Sequence, residues 1–294
     1  MSIDPGNYII SYFIIYWSAV TQLIGEKHKF RFKNKLLSFD ATLIPLCLEM
    51  FNWAKYRRAK GAIKLHLLLD HAGYLPTFVR VTEGKTHEVN ILRTLEFDAR
   101  TVALFDRGLV DYDLFSHFIE TGVYFVTPLK SKADFQVIAQ RKIPVNRSIV
   151  KDEIIRFSGF YSQDKCPYDL RLVTVWIEEK NETMAFVTNN FDLGSTTIAA
   201  IYKDRWKIEI FFKDLKQNLR IKTFVGTSPN AELIQIWTAL IAFLILKYLK
   251  ARSKVKWSLS NLVALLRYNL LTGTYGSGLI VCIYLHPKKW KSIN

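Results

Sequence analysis

Cysteine is scarce in this sequence, and its three cysteines are far apart. Cys47, Cys166 and Cys282 are separated by more than a hundred residues each, with no CxxC pair and no Cys/His cluster. This spacing argues against a disulfide framework and against a zinc site. Low cysteine usage of this kind is typical of a protein in a reducing cytoplasm.

Features of secreted and membrane proteins are also missing. No basic region precedes the first apolar run, so no secretory signal peptide is expected. The apolar stretches Tyr8–Ile24 and Leu233–Leu249 contain polar residues and fall short of the roughly 20 clean residues that a transmembrane helix needs. Both are predicted to be buried helices, and no membrane partner is expected. The alternative, a membrane helix at Leu233–Leu249, predicts loss from the soluble fraction without detergent.

Acidic side chains are few relative to basic ones. The chain has 26 Asp and Glu against 41 Lys and Arg, a net charge of +15, and half of its residues are hydrophobic. The hydrophobic content indicates a globular protein, and this charge is tolerated most readily beside a polyanion, of which nucleic acid is the commonest. A generically basic protein of high isoelectric point is the alternative.

Two aspartates each come directly after a short apolar run that is predicted to be a strand. Asp40 follows Leu36–Phe39, and Asp106 follows Thr101–Phe105. Carboxylates at the C-terminal ends of buried strands face the clefts in which α/β proteins bind ligands. The alternative for each is a strand-terminating Asp that begins a turn.

Other segments predict an α/β protein with an insertion. Ile63–Leu69 and Tyr74–Val81 are predicted to form a hairpin, and residues 87–97 and 111–121 are predicted to be helical. From residue 128 to 192 the chain is polar, with short strand-like runs between turn residues. This change of composition indicates a β-rich insertion.

One helix carries four side chains of complementary chemistry. In YKDRWKIEIFFKDLK, the residues Tyr202, Arg205, Glu209 and Lys216 follow one another at spacings of three, four and seven. On an α-helix these side chains fall within an arc of roughly 60°. The arc is either a functional site or one face of a surface helix with an Arg205–Glu209 ion pair.

Asp40, Asp106 and Glu209 together form a hard ligand set. No His or Cys site competes with these carboxylates, so they suit Mg²⁺ or Mn²⁺ better than zinc. Two such ions about 4 Å apart can serve an in-line phosphoryl transfer. Arg205 and Lys216 are candidates for binding phosphate oxygens, and Tyr202 for bonding a phosphate or positioning a carboxylate.

A basic, aromatic patch between residues 51 and 64 is a further candidate for DNA contact. Arg57, Arg58 and Lys64 lie there, interleaved with Trp53 and Tyr56, and could grip phosphates and stack a base. A solvated loop is the alternative.

These motifs resemble the signatures of bacterial insertion-sequence transposases of the DDE type that carry a Y-R-E-K motif, the IS-four group. The similarity covers roughly residues 36–270 and includes FDAT at 39–42, FDRG at 105–108 and the Tyr202–Lys216 motif. It implies an RNase H-like mixed sheet flanked by helices, with the aspartates on the first and fourth strands. The implied segments are a remnant of an N-terminal DNA-binding region with a basic connector (1–35), the two parts of the catalytic domain (36–127 and 193–271), the β-rich insertion between them (128–192) and a tail (272–294).

The resemblance also implies an activity and partners. It implies metal-dependent strand cleavage at element ends and attack of the freed 3′-hydroxyl on target DNA. Asp40, Asp106 and Glu209 are the implied catalytic residues, and they are expected to hold two Mg²⁺ or Mn²⁺ ions. Double-stranded DNA, a homodimer when synapsed, and a cytoplasmic, nucleoid-associated location are expected. Trp176 in the insertion is a candidate for base flipping, with a buried structural role as the alternative.

Two features depart from the family pattern. Leu109 stands where relatives usually have an aromatic after the second aspartate motif, which is tolerable because that side chain is not a ligand. Only 39 residues precede Asp40, fewer than in relatives, so the chain is expected to be truncated. A non-catalytic DNA-binding remnant is therefore the alternative to an active transposase.

Overall fold

The chain divides by compactness into two units. A computed structural model describes residues 5–25, 27–46, 55–57, 60–145, 148–219, 221, 228–253 and 257–271. The first unit comprises Met1–Glu26, Ile44–Ala62 and Ile210–Asn294, and the second, here called the sheet unit, comprises Lys27–Leu43 and Ile63–Glu209. The predicted segment boundaries differ from this division and stay predictions, and the predicted tail at 272–294 lies outside the described residues.

The strands lie mainly in the sheet unit. In chain order they are β1 (Leu36–Leu46), β2 (Lys55–Arg57), β3 (Lys60–Asp70), β4 (Leu75–Glu83), β5 (Val102–Leu104), β6 (Tyr124–Pro128), β7 (Phe135–Gln140), β8 (Ile149–Phe157), β9 (Leu170–Ile177) and β10 (Glu182–Thr188).

One described helix precedes these strands, and the others lie between and after them. In chain order they are α1 (Pro5–Ile24), α2 (Glu88–Leu92), α3 (Tyr112–Glu120), α4 (Phe160–Lys165), α5 (Ser195–Asp204), α6 (Trp206–Gln217), α7 (Pro229–Arg252) and α8 (Leu259–Leu271).

The centre of the sheet unit consists of parallel strands with a core on each face. β1 pairs with β5 and β5 with β6, both in parallel. On one face Phe105, Phe115 and Phe125 pack together, with Phe115 supplied by α3. On the other face the buried side chains include Leu104 of β5 and Ile201 of α5. Because both faces are covered, these strands have continuous apolar runs instead of alternating ones.

The complete order of the sheet confirms the predicted fold class. Within the sheet unit the strands follow the order β4-β3-β1-β5-β6-β10-β9-β8-β7, and β2 pairs with the first residues of β3. β10 joins β6 in antiparallel orientation, so the strands of the β-rich insertion extend the same sheet. The chain has an α/β fold with a large mixed sheet flanked by helices.

Several local predictions need correction. The hairpin of β3 and β4 is confirmed. β1, however, continues past Asp40, the helix expected over 87–97 is only α2, and the long motif helix is divided at Arg205. The resemblance implied that the second aspartate lies on the fourth strand. Asp106 instead follows the fifth described strand, because the three-residue strand β2 comes before it. The hydrophobic periodicity of the sequence does not reveal the break at Arg205, because a single turn with i→i−3 hydrogen bonds barely alters the spacing of apolar residues.

The predicted buried helices are α1 and α7 of the first unit. By length and composition, α7 over Asn230–Arg252 could span a membrane. Its Leu240 and Phe243 are buried, and its Trp237 contacts Phe13 of α1 edge to face at 5.2 Å, which is the packing of a core helix. The prediction that α1 is a buried helix was wrong, because an apolar face of α1 that includes Ile15 is exposed.

A buried ion pair links the insertion to the loop before α5. Arg171 on β9 donates from Nε and Nη2 to both carboxylate oxygens of Asp152 on β8, at 2.8 and 2.7 Å, and from Nη1 to the carbonyls of Asn190 and Leu193. Both side chains are at most 3% exposed. The pair therefore ties the sheet to the segment that leads into the motif helix.

Asp152→Asn is expected to lower the free energy of unfolding by about 3 kcal/mol, because it leaves the buried Arg171 cation without its counter-charge. Denaturant titration of the purified protein measures this loss. The matched control is Asp169→Asn, which breaks the exposed Arg156–Asp169 pair and should cost less than about 1 kcal/mol. Equal losses for the two variants would contradict a special contribution from the buried pair.

Candidate active site

The register of the parallel strands places Asp40 and Asp106 at equivalent positions. Ser38 of β1 is the partner of Leu104 of β5, and each aspartate lies two residues further along its own segment. Neighbouring strands run about 4.8 Å apart, so the two aspartates lie at matching positions on adjacent segments. The prediction that each aspartate follows the end of a strand is right for Asp106 and wrong for Asp40, which lies within β1.

Asp40 is a largely buried carboxylate. Its side chain is 22% exposed, its Oδ1 accepts the Ala41 backbone N–H at 2.8 Å, and its Oδ2 lies 3.6 Å from Nη1 of Arg205. Burial raises the pKa of Asp40 to about 6, although the Ala41 N–H and Arg205 act in the opposite direction. The carboxylate is thus incompletely compensated by the protein's own donors, and additional positive charge would favour its ionised form.

Arg205 lies between two of the three candidate carboxylates. Its Nη2 donates to Oε1 of Glu209 at 2.8 Å, while Nη1 faces Asp40, and the side chain is only 10% exposed. Burial acts to lower the pKa of Arg205, but Tyr202, Asp40 and Glu209 together raise it. The predicted Arg205–Glu209 pair exists, yet it belongs to a buried bridge instead of a solvated helix face.

Tyr202 connects the helix to Asp106. The phenol O–H donates to Oδ1 of Asp106 at 3.4 Å, and the ring packs against Phe186. Burial and Asp106 together raise the pKa of Tyr202 to about 12, although Arg205 acts to lower it, so the phenol stays neutral and can donate a hydrogen bond. The guanidinium of Arg205 lies 5.4 Å from the centre of the same ring.

A groove of about 850 Å³ opens beside this cluster within the sheet unit. Trp206 on its wall is 59% exposed. Trp176, the base-flipping candidate, is adjacent to the wall residue Ile177 and is 40% exposed, so the buried alternative for it was wrong. The groove walls include Asp106, Ile177, Thr183, Tyr202, Arg205 and Trp206.

The donor chemistry of the cluster fits a divalent cation. Among the residues that the structure describes, no three His, Cys, Asp or Glu side chains are close enough together to hold a metal ion. Asp40 and Glu209 nevertheless share one cationic group, and all three candidate ligands are hard carboxylates. Mg²⁺ and Mn²⁺ prefer such oxygen ligands.

The other predicted DNA contacts lie apart from this cluster in the chain. Lys64 is 13% exposed on its side chain and pairs with Glu88 at 3.1 Å, while its Nζ donates to the Thr86 carbonyl at 2.8 Å. Arg57 is in β2, and Arg58 lies outside the described residues. Lys216 is in α6 and belongs to the first unit, as does Arg57.

Sequence reasoning missed Asp204, although it lies between Tyr202 and Arg205. Its carboxylate accepts hydrogen bonds from His71 at 2.8 Å and from Lys29 at 2.6 Å. The sequence pattern could not reveal this role, because even the nearer of these two partners along the chain, His71, is 133 residues away. The one local indication was a charged residue at a position of the motif helix that faces inward.

The fold is that of an α/β protein with a mixed sheet, and Arg205 and Tyr202 of one helical segment contact the three candidate carboxylates. Residues 31–245 match the family model described as a transposase DDE domain. The match covers most of the chain, and the chain belongs to this family. Members of the family generally use a divalent metal.

Named relatives agree with the family. The chain is 31% identical to transposase y4zB of Sinorhizobium fredii over 71% of its own length and 59% of the relative's. It is 27% identical to a transposase for insertion sequence element IS5377 of Geobacillus stearothermophilus, over 80% of its own length and 62% of the relative's. It is 32% identical to a transposase for element IS4SA of Synechocystis, over 80% and 66% respectively. The chain therefore spans about three fifths to two thirds of the length of these curated relatives.

Among solved structures, the chain is similar to one in the cryo-EM structure of a piggyBac transposase synaptic complex with hairpin DNA. The two share 13% sequence identity with a TM-score of 0.46, over 90% of this chain and 59% of the other.

Proposed function

We propose that this chain is a DNA transposase that cuts DNA strands at insertion-sequence ends and joins them to target DNA. The carrying observation is that Arg205 pairs with both Asp40 and Glu209, while Tyr202 of the same helix bonds to Asp106. Three carboxylates, the ligand type that serves divalent ions in phosphoryl transfer, thus contact one arginine and one tyrosine of the same helical segment. The Y-R-E-K assignment belongs to this proposal.

Asp40, Asp106 and Glu209 are the residues that would hold the divalent ions, two Mg²⁺ or Mn²⁺. When bound, such ions activate an attacking oxygen and stabilise the leaving oxygen of an in-line displacement. Arg205 balances the carboxylate charge before DNA arrives and is placed to bind a phosphate oxygen. Tyr202 remains a neutral donor that orients Asp106.

The reaction has two chemically similar steps. In the first, water attacks a phosphodiester at the element end, and the strand leaves with a free 3′-hydroxyl. In the second, that hydroxyl attacks a phosphodiester of the target, which forms the new junction and releases a target 3′-hydroxyl. Double-stranded DNA is thus both substrate and partner, and a homodimer on paired ends and a nucleoid-associated, cytoplasmic location complete the proposal.

The basic residues outside the cluster have unequal support as DNA contacts. The chain's +15 charge favours a nucleic-acid partner, and phosphate contacts supply most of the affinity of such proteins. Lys216, Arg57 and Arg58 are proposed contacts. Lys64 is the weakest candidate, because its ammonium is already held by Glu88 and Thr86.

The test is cleavage of a supercoiled plasmid that carries the ends of the element encoding this chain, with purified protein and Mn²⁺. Nicked and linear products are expected with Mn²⁺ and none with EDTA. Glu209→Gln is expected to lower the rate at least about 1,000-fold, a loss of about 4 kcal/mol of transition-state stabilisation.

The matched control is Asp98→Asn, whose carboxylate is 86% exposed and lies 3.9 Å from the exposed Lys35. This variant should cut the plasmid at the wild-type rate. Equal cutting by wild type and Glu209→Gln would refute the catalytic assignment. Specific binding of the ends without any cleavage would instead support the non-catalytic, DNA-binding alternative.

A further inference from the structure

A buried chain of hydrogen bonds connects three segments of the sheet unit. Ser38 of β1 lies 2.6 Å through its Oγ from Nε2 of His71, which follows β3. Nδ1 of the same imidazole lies 2.8 Å from Oδ2 of Asp204, the last residue of α5. The three residues are 0%, 2% and 4% exposed. We call this set the Ser38–His71–Asp204 network.

Two further donors hold Asp204 in its ionised form. Lys29 donates to Oδ1 at 2.6 Å, and the Tyr74 hydroxyl donates to Oδ2 at 3.1 Å. Burial acts to raise the pKa of Asp204, but the bonds from His71 and Lys29 outweigh it and lower the pKa to about 2. A carboxylate can only accept, so His71 donates from Nδ1, and in its neutral form Nε2 accepts the Ser38 O–H.

The order of these groups is that of a serine nucleophile with its base and orienting acid. The Ser38 hydroxyl, however, is fully buried, and a nucleophile must reach its substrate. The network is therefore not a second catalytic centre. Fully satisfied buried polar networks of this kind instead specify a single arrangement of the segments that they join.

The segments that the network joins are those that carry the proposed catalytic groups. Ser38 and Asp40 are two residues apart on one strand, so their side chains leave β1 on the same face. Asp204 directly precedes Arg205, which pairs with Asp40 at 3.6 Å. The same two segments are thus joined twice, once through the buried network and once at the site.

We propose that Ser38, His71 and Asp204 are positioning residues that hold Arg205 in register with Asp40 and Glu209. This inference rests on the proposed function for its catalytic consequence, but the positioning itself is a property of the chain alone. Without the network, the end of α5 would be free to shift relative to β1. A shift of about 1 Å at such a site can cost on the order of 100-fold in rate.

The variants that test this are Asp204→Asn and Ser38→Ala. The first keeps the shape of the side chain and removes its charge, and the second removes only the terminal hydroxyl, so it serves where the first variant does not fold. Thr82→Val is the matched control, because it removes a comparable bond to a buried histidine, His66, in the same sheet.

The first measurement is hydrogen exchange at the Arg205 guanidinium, followed by NMR of the full chain with ¹⁵N-labelled arginine and assigned with Arg205→Lys. Both network variants are expected to speed this exchange at least about tenfold, whereas Thr82→Val should leave it unchanged. The second measurement is plasmid cleavage, in which kcat should fall about 10- to 100-fold with KM for DNA nearly constant.

The two measurements separate the two proposals. If wild type does not cleave DNA but the network variants still release Arg205, the proposed function fails and the positioning stands. If both variants leave the exchange of Arg205 within twofold of wild type, the positioning proposal is overturned, whatever the cleavage assay gives. Release of Arg205 by Thr82→Val to the same extent would also overturn it, because the effect would then be general loosening.

Discussion

Asp106→Asn is expected to lower plasmid cleavage at least about 1,000-fold and to change DNA affinity by less than about threefold. Asp106 is exposed just after β5 and, among the described residues, its side chain accepts one long bond, from Tyr202, so asparagine fits there without a burial cost. The substitution removes one negative charge from the proposed ligand set, whereas affinity depends mainly on phosphate contacts elsewhere. Cleavage rates with Mn²⁺ and binding isotherms at fixed salt measure the two effects.

The same pair of assays separates a catalytic from a structural role. Asp40→Asn should give a comparable loss of cleavage, because Asp40 and Asp106 occupy matching positions, each two residues beyond the paired Ser38 and Leu104. Asp169→Asn, on an exposed strand start of the insertion, should cleave and bind like wild type. A large loss of DNA binding in Asp106→Asn, parallel to its loss of cleavage, would identify Asp106 as structural.

Arg205→Ala is expected to destabilise the protein without divalent metal by about 2 kcal/mol, because Asp40 and Glu209 lose the cation they share. The estimate lies below that for a fully buried pair, since both carboxylates are partly exposed. Cleavage should fall as well, through loss of a phosphate contact. Arg205→Lys should recover only part of either property, since an ammonium cannot bridge two carboxylates as a planar guanidinium does.

Metal distinguishes this loss of charge balance from a simple packing defect. Mn²⁺ should raise the melting temperature of Arg205→Ala more than that of wild type, because a bound cation would replace the missing guanidinium charge. Arg156→Ala, which removes an exposed arginine, should respond to Mn²⁺ as wild type does. An identical metal-induced shift in Arg205→Ala and wild type would show that Arg205 and the metal act on different carboxylates.

Much of the fold was accessible from local patterns. The continuous apolar runs before Asp40 and Asp106 identified the central strands, and the turn residues between β3 and β4 identified their hairpin. The polar stretch after residue 128 indicated added strands, but not that β10 would pair with β6 and extend the main sheet. Pairing across such distances depends on the path of the whole chain, to which local composition is insensitive.

In the site, too, the sequence predicted local groupings but not contacts between distant segments, as the motif helix shows. Its spacing identified Tyr202, Arg205 and Glu209 as a group, since helical periodicity alone brings them to one side. It did not reveal that Arg205 is nearly buried and faces Asp40, because that depends on where β1 lies. The change to i→i−3 bonds at Arg205 was equally invisible to a pattern of period 3.6.

The sequence by itself therefore determined which residue types are available and the order in which they follow: two aspartates after apolar runs, then a helix with a phenol, a guanidinium and a carboxylate. Only the tertiary structure decided that one guanidinium serves two of those carboxylates. It alone joined Ser38, His71 and Asp204, residues 33 and 133 positions apart. The physical reason is that hydrogen bonds and burial act over a few ångströms in space, and the folded chain path sets which distant residues come that close.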